Sequence, residues 1–291
     1  MRLLLILLVL LPVVASAGPA TGWRNGWGLV RAPETHTTDA DVGDGDGDGA
    51  IARLRLEHTG NTWRARIDNR IAGPVQVALR LPRARTPMAL ASTRLLPAAG
   101  STVFAGLPAP TGDTPLDLRL LAVPGDPDAR PGDVAYLLPF DARRIRVSQP
   151  PQGHASHRDA ENRDAVDFTL PEGTPVLAAR AGTVMQVEDR FRGSGQDARH
   201  DGQRANFIRL LHADGSMSVY AHLQPGGIQV RPGQPVETGQ PIGLSGNTGY
   251  STAPHLHFVV QVNRGMQLHS VPVRLLGPQG ELRFATEAPA D

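Results

Sequence analysis

The chain has 291 residues, with 29 basic side chains against 28 acidic ones, a formal charge of +1 and no cysteine. At roughly 150 residues per domain this length gives one large or two ordinary domains, each able to enclose its own core. A charge so close to balance exerts no general pull on nucleic acid, which argues against that partner class. All 29 basic residues are arginine. The absence of lysine excludes Schiff-base chemistry, a P-loop lysine and any carrier acylated on lysine. The absence of cysteine excludes disulfides, thiolate nucleophiles, Cys-ligated zinc and iron–sulfur clusters.

Taken in chain order, Met1-Arg2 is a short basic start to the apolar run Leu3 to Leu11, followed by Pro12 and Ala15-Ser16-Ala17. That order is the pattern of a secretory signal peptide. The run falls short of the ~20 apolar residues needed to span a bilayer. Residues 1–17 are therefore expected to be removed, giving an exported protein, periplasmic or secreted, with no membrane span. Loss of Arg2 would bring the formal charge to zero. Residues 18–50 read as a flexible linker rich in Gly and Asp, ending in the alternation Gly43 to Gly49. Asp44, Asp46 and Asp48 mimic the first ligands of an EF-hand loop, but Arg55 stands where that loop needs its bidentate Glu.

From Ile51 to Val147 short runs alternate apolar and polar residues, as in Ile51 to Leu56, Val75 to Leu81 and Leu116 to Leu120. Period-two patterning with frequent Pro and Gly predicts an antiparallel β-sandwich-like module over 51–147. A linker is expected over Arg146 to Pro151. Strand patterns then recur at Val176 to Ala179, Gly182 to Val187, Asn206 to Leu211, Ser218 to Ala221 and His255 to Val262. The Gly-, Arg- and Asp-rich run Gly193 to Arg204 reads as a surface loop inserted between two of these strands. The fold class is thus all-β, with the sandwich-like module followed by a compact antiparallel β domain over 148–280 and a tail over 281–291.

Eight of the ten histidines fall after residue 152. With Cys absent, only His, Asp and Glu remain as zinc ligands. In Pro254-His255-Leu256-His257-Phe258, the i and i+2 histidines project from one face of a strand about 6–7 Å apart. Both can reach one metal, or one can ligate while the other works beside it. Asp167 interrupts the apolar stretch Ala165 to Phe168 ten residues after His157, and a buried carboxylate needs a cation or several donors to stay ionised. A turn or N-cap aspartate is the alternative for Asp167. His222 lies in the apolar strand Tyr220 to Leu223, where a lone histidine is more often a satisfied core residue. Three such patches in one small domain point instead to a site.

These residues resemble the LytM or lysostaphin-type zinc metallopeptidases, a family that cuts peptidoglycan peptides. The resemblance rests on Gly173-Thr174-Pro175-Val176, Tyr220-Ala221-His222-Leu223, Gly246-Asn247-Thr248-Gly249 and His255-Leu256-His257-Phe258 in that order, and covers most of 152–270. It implies zinc held by His157, Asp167 and His257, with His222 and His255 unligated beside the attacking water as general base and oxyanion donor. The family places its first His and Asp four positions apart, whereas His157 and Asp167 are ten apart, and His154 competes with His157 for the ligand role. His212 and His269 match no ligand position, and His200 lies in the inserted loop. The implied activity is an exported zinc endopeptidase acting on peptide cross-links of bacterial peptidoglycan. The alternative is a non-catalytic relative that binds the wall or activates an amidase. Nothing in the sequence names a protein partner. The turns Gly233 to Val236 and Gly239 to Gly243 also resemble biotinyl or lipoyl carriers, which the absence of lysine excludes.

Overall fold

The computed structural model describes residues 41–42, 51–59, 62–80, 93–107, 119–141, 145–153, 157–197, 200–202 and 204–284. The expected signal segment, the Asp/Gly run and His154 lie outside them. Within 18–50 only Asp41–Val42 is described, as a short strand pairing with Ala52–Thr59. Every regular element among the described residues is a strand, and these residues contain no helix long and apolar enough to cross a membrane.

The N-terminal module is built from two antiparallel sheets. One runs Asp41–Val42, Ala52–Thr59, Thr62–Asn69, Ser101–Leu107, and the other Arg94–Leu96, Val75–Arg80, Arg119–Pro124. Alternate side chains from both sheets, among them Leu54, Ile67, Val77, Leu79 and Ala122, enclose one core. This is the period-two outcome that the sequence pattern predicts.

The C-terminal body is organised around an eight-stranded sheet. Its order is Pro235–Val236, Gly182–Glu188, Phe207–Leu211, Met217–Ala221, His255–Asn263, Val166–Thr169, Val147–Gln149, with Leu268–Ser270 pairing on His255–Asn263. Val147–Gln149 is thus an edge strand of this sheet, not part of a linker. Its place is fixed by pairing with Val166–Thr169 and by Thr169 N–H donating to Arg146 O at 3.0 Å. Ala135–Leu137 likewise pairs with Arg274–Gly277, and Tyr136, Leu138 and Phe140 are buried in this body's core.

The two faces of the sheet have different fates. One presents Val166, Phe168, Ile208, Leu210, Tyr220, Leu256, Phe258 and Val260 to the main core. The other carries a single row of side chains across six strands: Glu188, Phe207, Ala221, His257, Asp167 and Gln149, each directly opposite the next. All six are buried. Behind this row Ala165, Val219 and Val259 form a small apolar layer with Phe207 and Ala221.

Farther along the same face, Met185, Met217 and Leu268 belong to the core of the N-terminal module. Backbone and side-chain bonds secure the junction: Ala72 N–H donates to Met185 O at 2.9 Å, Asn263 Nδ2 to Gly125 O at 3.0 Å, and Met266 N–H to Gln76 Oε1 at 2.7 Å. From His257 to Asn263 is six strand residues, or about 20 Å at ~3.3 Å each. The described part of the module therefore docks well away from the histidine row. Because Met217 fills a core shared by both units, Met217→Ala should lower the free energy of unfolding by about 2–5 kcal/mol. Urea titration checks this, and an unchanged midpoint would show that the two units do not rely on this contact.

Candidate metal centre and active site

The sheet register creates the site. Asp167 pairs with His257 across adjacent strands, so their side chains leave the same face side by side. His257 Nδ1 lies 2.8 Å from Asp167 Oδ1. His157 arrives from the turns before the Val166–Thr169 strand, with Nε2 3.3 Å from the same oxygen. One donor atom from each of these three buried residues lies within 4.8 Å of the others, a grouping able to hold a metal ion. The outer nitrogens point away from that centre: His157 Nδ1 lies 3.2 Å from Pro150 O and His257 Nε2 3.1 Å from Asn162 Oδ1.

Burial alone would raise the pKa of Asp167, but the imidazoles of His157 and His257 more than offset it and hold the group well below the usual carboxylate range. Burial also lowers the pKa of His257, outweighing the pull of Asp167, so the ring favours its neutral, ligating form.

His222 and His255 complete the cluster. Their ring centroids are 4.4 Å apart, and His222 is 5.9 Å from His257. His222 follows the end of the Met217–Ala221 strand with φ of 62°, a left-handed conformation that a non-glycine residue adopts at some cost. Its surroundings fix it there. Nδ1 donates to Thr248 O at 2.7 Å, Thr248 Oγ1 donates to Leu223 O at 2.9 Å, and Asn206 N–H donates to Thr248 Oγ1 at 3.0 Å. The next residue, Gly249, has φ of 80°, and a Cβ on it would meet Ala205 N at 2.6 Å. Only glycine lets this segment approach so closely. His255 Nδ1 donates to Ala253 O at 2.8 Å, with Ser251 Oγ at 3.2 Å. Both rings therefore carry their proton on Nδ1 and keep Nε2 open for proton exchange.

Burial, reinforced by His255 and His257, pushes His222 down to about 3. It is neutral over the physiological range.

The inserted loop is tied to this site more closely than a solvated loop would be. Ser194–Gly195 forms a parallel ladder with Gly249–Tyr250, and Ser251 N–H donates to Gly195 O at 3.1 Å. The loop thus braces the segment that orients both His222 and His255. Arg204 and Arg190 lie against the ring of Phe191, while Arg199 is outside the described residues. His200 is exposed and pairs with Asp201 at 2.6 Å. His212 is structural: Nδ1 donates to Ala181 O at 2.8 Å and Nε2 lies 2.9 Å from Ser218 Oγ. His269 is half-buried on the short strand Leu268–Ser270.

The alternating pattern did not single out Arg209. It shares the histidine face, is fully buried, and donates from Nη1 to Gln261 Oε1 at 2.9 Å. Its position inside Phe207–Leu211 was the available signal, since an inward arginine on a strand requires a polar interior.

An all-β domain that gathers a His–Asp–His set and two further imidazoles on one sheet face is a LytM/lysostaphin-type domain. Residues 161–269 match the model of peptidase family M23. An uncharacterized metalloprotease of Haemophilus influenzae is 36% identical over 154 residues, 53% of this chain and 30% of that protein. The peptidoglycan DD-endopeptidase ShyA of Vibrio cholerae is 32% identical over 136 residues, 47% of this chain and 26% of that protein. The catalytic domain of the antimicrobial peptidase lysostaphin from Staphylococcus simulans is 35% identical, covering 41% of this chain and 80% of that domain with a TM-score of 0.30. The chain carries a peptidase family M23 domain over residues 161–269. It spans less than a third of the length of these two curated relatives.

The position four residues before Asp167, where the family carries its first histidine, is the exposed Arg163. His157, which precedes the family match, is the histidine that reaches Asp167 here.

The buried neutral histidines set an acid limit on stability. His212 is pushed down to about 4 by burial, and His222 to about 3. Below the ordinary value of 6.5 the unfolded chain binds protons that the folded one refuses, so stability rises with pH in this window. The melting temperature of the zinc-free protein should therefore fall steadily from pH 6.5 to 4. His212→Gln should flatten part of that slope, and an equal slope in the variant would show that His212 contributes none of it.

Proposed function

We propose that the protein is an exported zinc metalloendopeptidase that hydrolyses peptide cross-links of bacterial peptidoglycan. The observation that carries this proposal is the convergence of His157, Asp167 and His257 on one point, with His222 and His255 beside them. Two imidazoles and a carboxylate are the donor set of a catalytic zinc site with its fourth position left for water. Three ligands on a tetrahedral ion at 2.0–2.1 Å stand about 3.3 Å from one another. The 3.3 Å separation of His157 Nε2 from Asp167 Oδ1 matches that spacing, and the 2.8 Å of His257 Nδ1 is shorter by about half an ångström. Bound there, zinc supplies Lewis acidity and lowers the pKa of water towards neutrality.

The rest of the chemistry belongs to the chain. His222, neutral and anchored through Nδ1, accepts a proton at Nε2 from the attacking water and returns it to the leaving amine. His255 is less buried and equally anchored through Nδ1, and with a second proton on Nε2 it donates a hydrogen bond to the oxyanion that develops on the scissile carbonyl. The left-handed backbone of His222 and the Thr248 contacts hold that ring ready, so little reorganisation accompanies the reaction. Peptidoglycan as substrate is supported by the family and by relatives whose names state that activity. The module over 51–147 is proposed to act as a structural support, consistent with the core it shares with the sheet.

The test uses the full chain. Wild type is expected to purify with one zinc and to release muropeptides from purified sacculi, identified by mass. His257→Ala should lose both zinc and release. His222→Ala should keep its zinc and lose roughly 10²–10⁴-fold in rate. Variants that cut like wild type would overturn the enzymatic assignment, and zinc-free, inactive wild type that still binds sacculi would support the non-catalytic alternative.

A further inference from the structure

We propose that Asn162 is a positioning residue that favours the metal-binding tautomer of His257, with its proton on Nε2, and that Asp159 sets the orientation of the Asn162 amide. This rests on the zinc site proposed above.

Asn162 is buried one turn after Asp159, in the segment between His157 and Asp167. Its amide Nδ2 donates to both Asp159 oxygens, at 3.0 and 3.3 Å. A carboxylate accepts only, so the NH2 end must face Asp159 and Oδ1 must face His257. Asp159 Oδ1 is fixed in turn by the backbone N–H groups of Glu161 and Asn162, each at 2.9 Å. The amide orientation is therefore decided by chemistry.

Oδ1 lies 3.1 Å from His257 Nε2, and Asp167 Oδ1 lies 2.8 Å from His257 Nδ1. A neutral imidazole has one N–H and cannot donate to both acceptors. With the proton on Nε2, given to Asn162, the Nδ1 lone pair faces the Asp167 oxygen across 2.8 Å. This tautomer gives up the hydrogen bond that Nδ1 makes to Asp167 when no metal is bound, and it is the favoured one once a cation lies against both atoms. Without Asn162, the ring would place its proton on Nδ1 and donate to Asp167, a satisfied pair with little use for a metal.

His157 follows the same logic with Pro150 O as its outer acceptor. A backbone carbonyl cannot be removed by mutation, which leaves Asn162 as the testable half. The segment's place is secured independently: Gln261 Nε2 donates to Glu161 O at 3.0 Å, and Ser270 N–H to Ala160 O at 2.6 Å.

The experiment compares zinc affinities of full-length wild type, Asn162→Ala and Asp159→Ala by competition with a chromophoric chelator. Asn162→Ala should bind zinc roughly 10–100-fold more weakly. Asp159→Ala, which frees the amide without removing it, should show a smaller loss in the same direction. Met217→Ala, which loosens the fold far from the site, should leave zinc affinity unchanged. In long-range 1H–15N spectra of the zinc-loaded protein, the Nε2–H signal of His257 should be sharp in wild type and broadened by solvent exchange in Asn162→Ala. Equal affinity and an equally protected Nε2–H in Asn162→Ala would overturn this inference while leaving the zinc site intact. Wild type that binds no zinc would overturn both.

Discussion

A carboxylate inside a β-sheet is stable only if the sheet brings it compensation, and Asp167 is where that condition governs the molecule. It sits between Val166 and Phe168, both committed to the main core, so its strand cannot turn over without burying charge among apolar side chains. Register with His257 fixes one partner, and the preceding turns supply His157. Every other element of the site follows from satisfying this one group. The row from Glu188 to Gln149 shows how far the effect spreads: polar side chains stand at both of its ends, and Phe207 and Ala221 lie between Glu188 and His257.

The face that carries the site also carries the junction with the N-terminal module. One strand therefore carries the histidine cluster near His255 and His257 and the contact with the module near Asn263. Between them lies Arg209, a buried cation beneath the histidine row. Burial lowers its pKa to about 10, and Glu161, opposing that shift, is itself raised to about 8 by burial and by Asp159. Taking these groups out of water is costly, and Gln261 connects them, accepting from Arg209 through Oε1 and donating to Glu161 O through Nε2.

Much of this was legible in the sequence. Alternation placed the strands of the C-terminal unit to within a residue or two because one face of each is buried, whereas in the N-terminal unit Ala52–Thr59 runs three residues past its expected end and Arg119–Pro124 starts three residues late. The i, i+2 histidines and Asp167 were visible as polar residues breaking apolar strands. What stayed hidden has physical reasons. Ser194–Gly195 has no apolar pattern, and its ladder with Gly249–Tyr250 is made by backbone alone. Val147–Gln149 read as linker because an edge strand of three residues leaves too little periodicity. Met185 and Met217 announced burial but not which core would bury them. Arg209 looked like the solvent side of a strand, since alternation alone does not distinguish water from a polar interior.

The segment before Asp167 does not follow the family's spacing of histidine and aspartate. Arg163 occupies the position of the family histidine, its side chain exposed, yet its backbone carbonyl accepts from Gln152 N–H at 2.6 Å. That bond joins Gln152 to Arg163, on either side of His157 in the chain. Pro150 O receives Nδ1 of His157, and Nε2 lies 3.3 Å from Asp167 Oδ1. An imidazole six residues before the family position thus reaches the same carboxylate. The spacing rule of the family describes one way to bring an imidazole to this carboxylate; the requirement underneath it is the carboxylate's need for partners, which a longer and well-tied loop meets equally well.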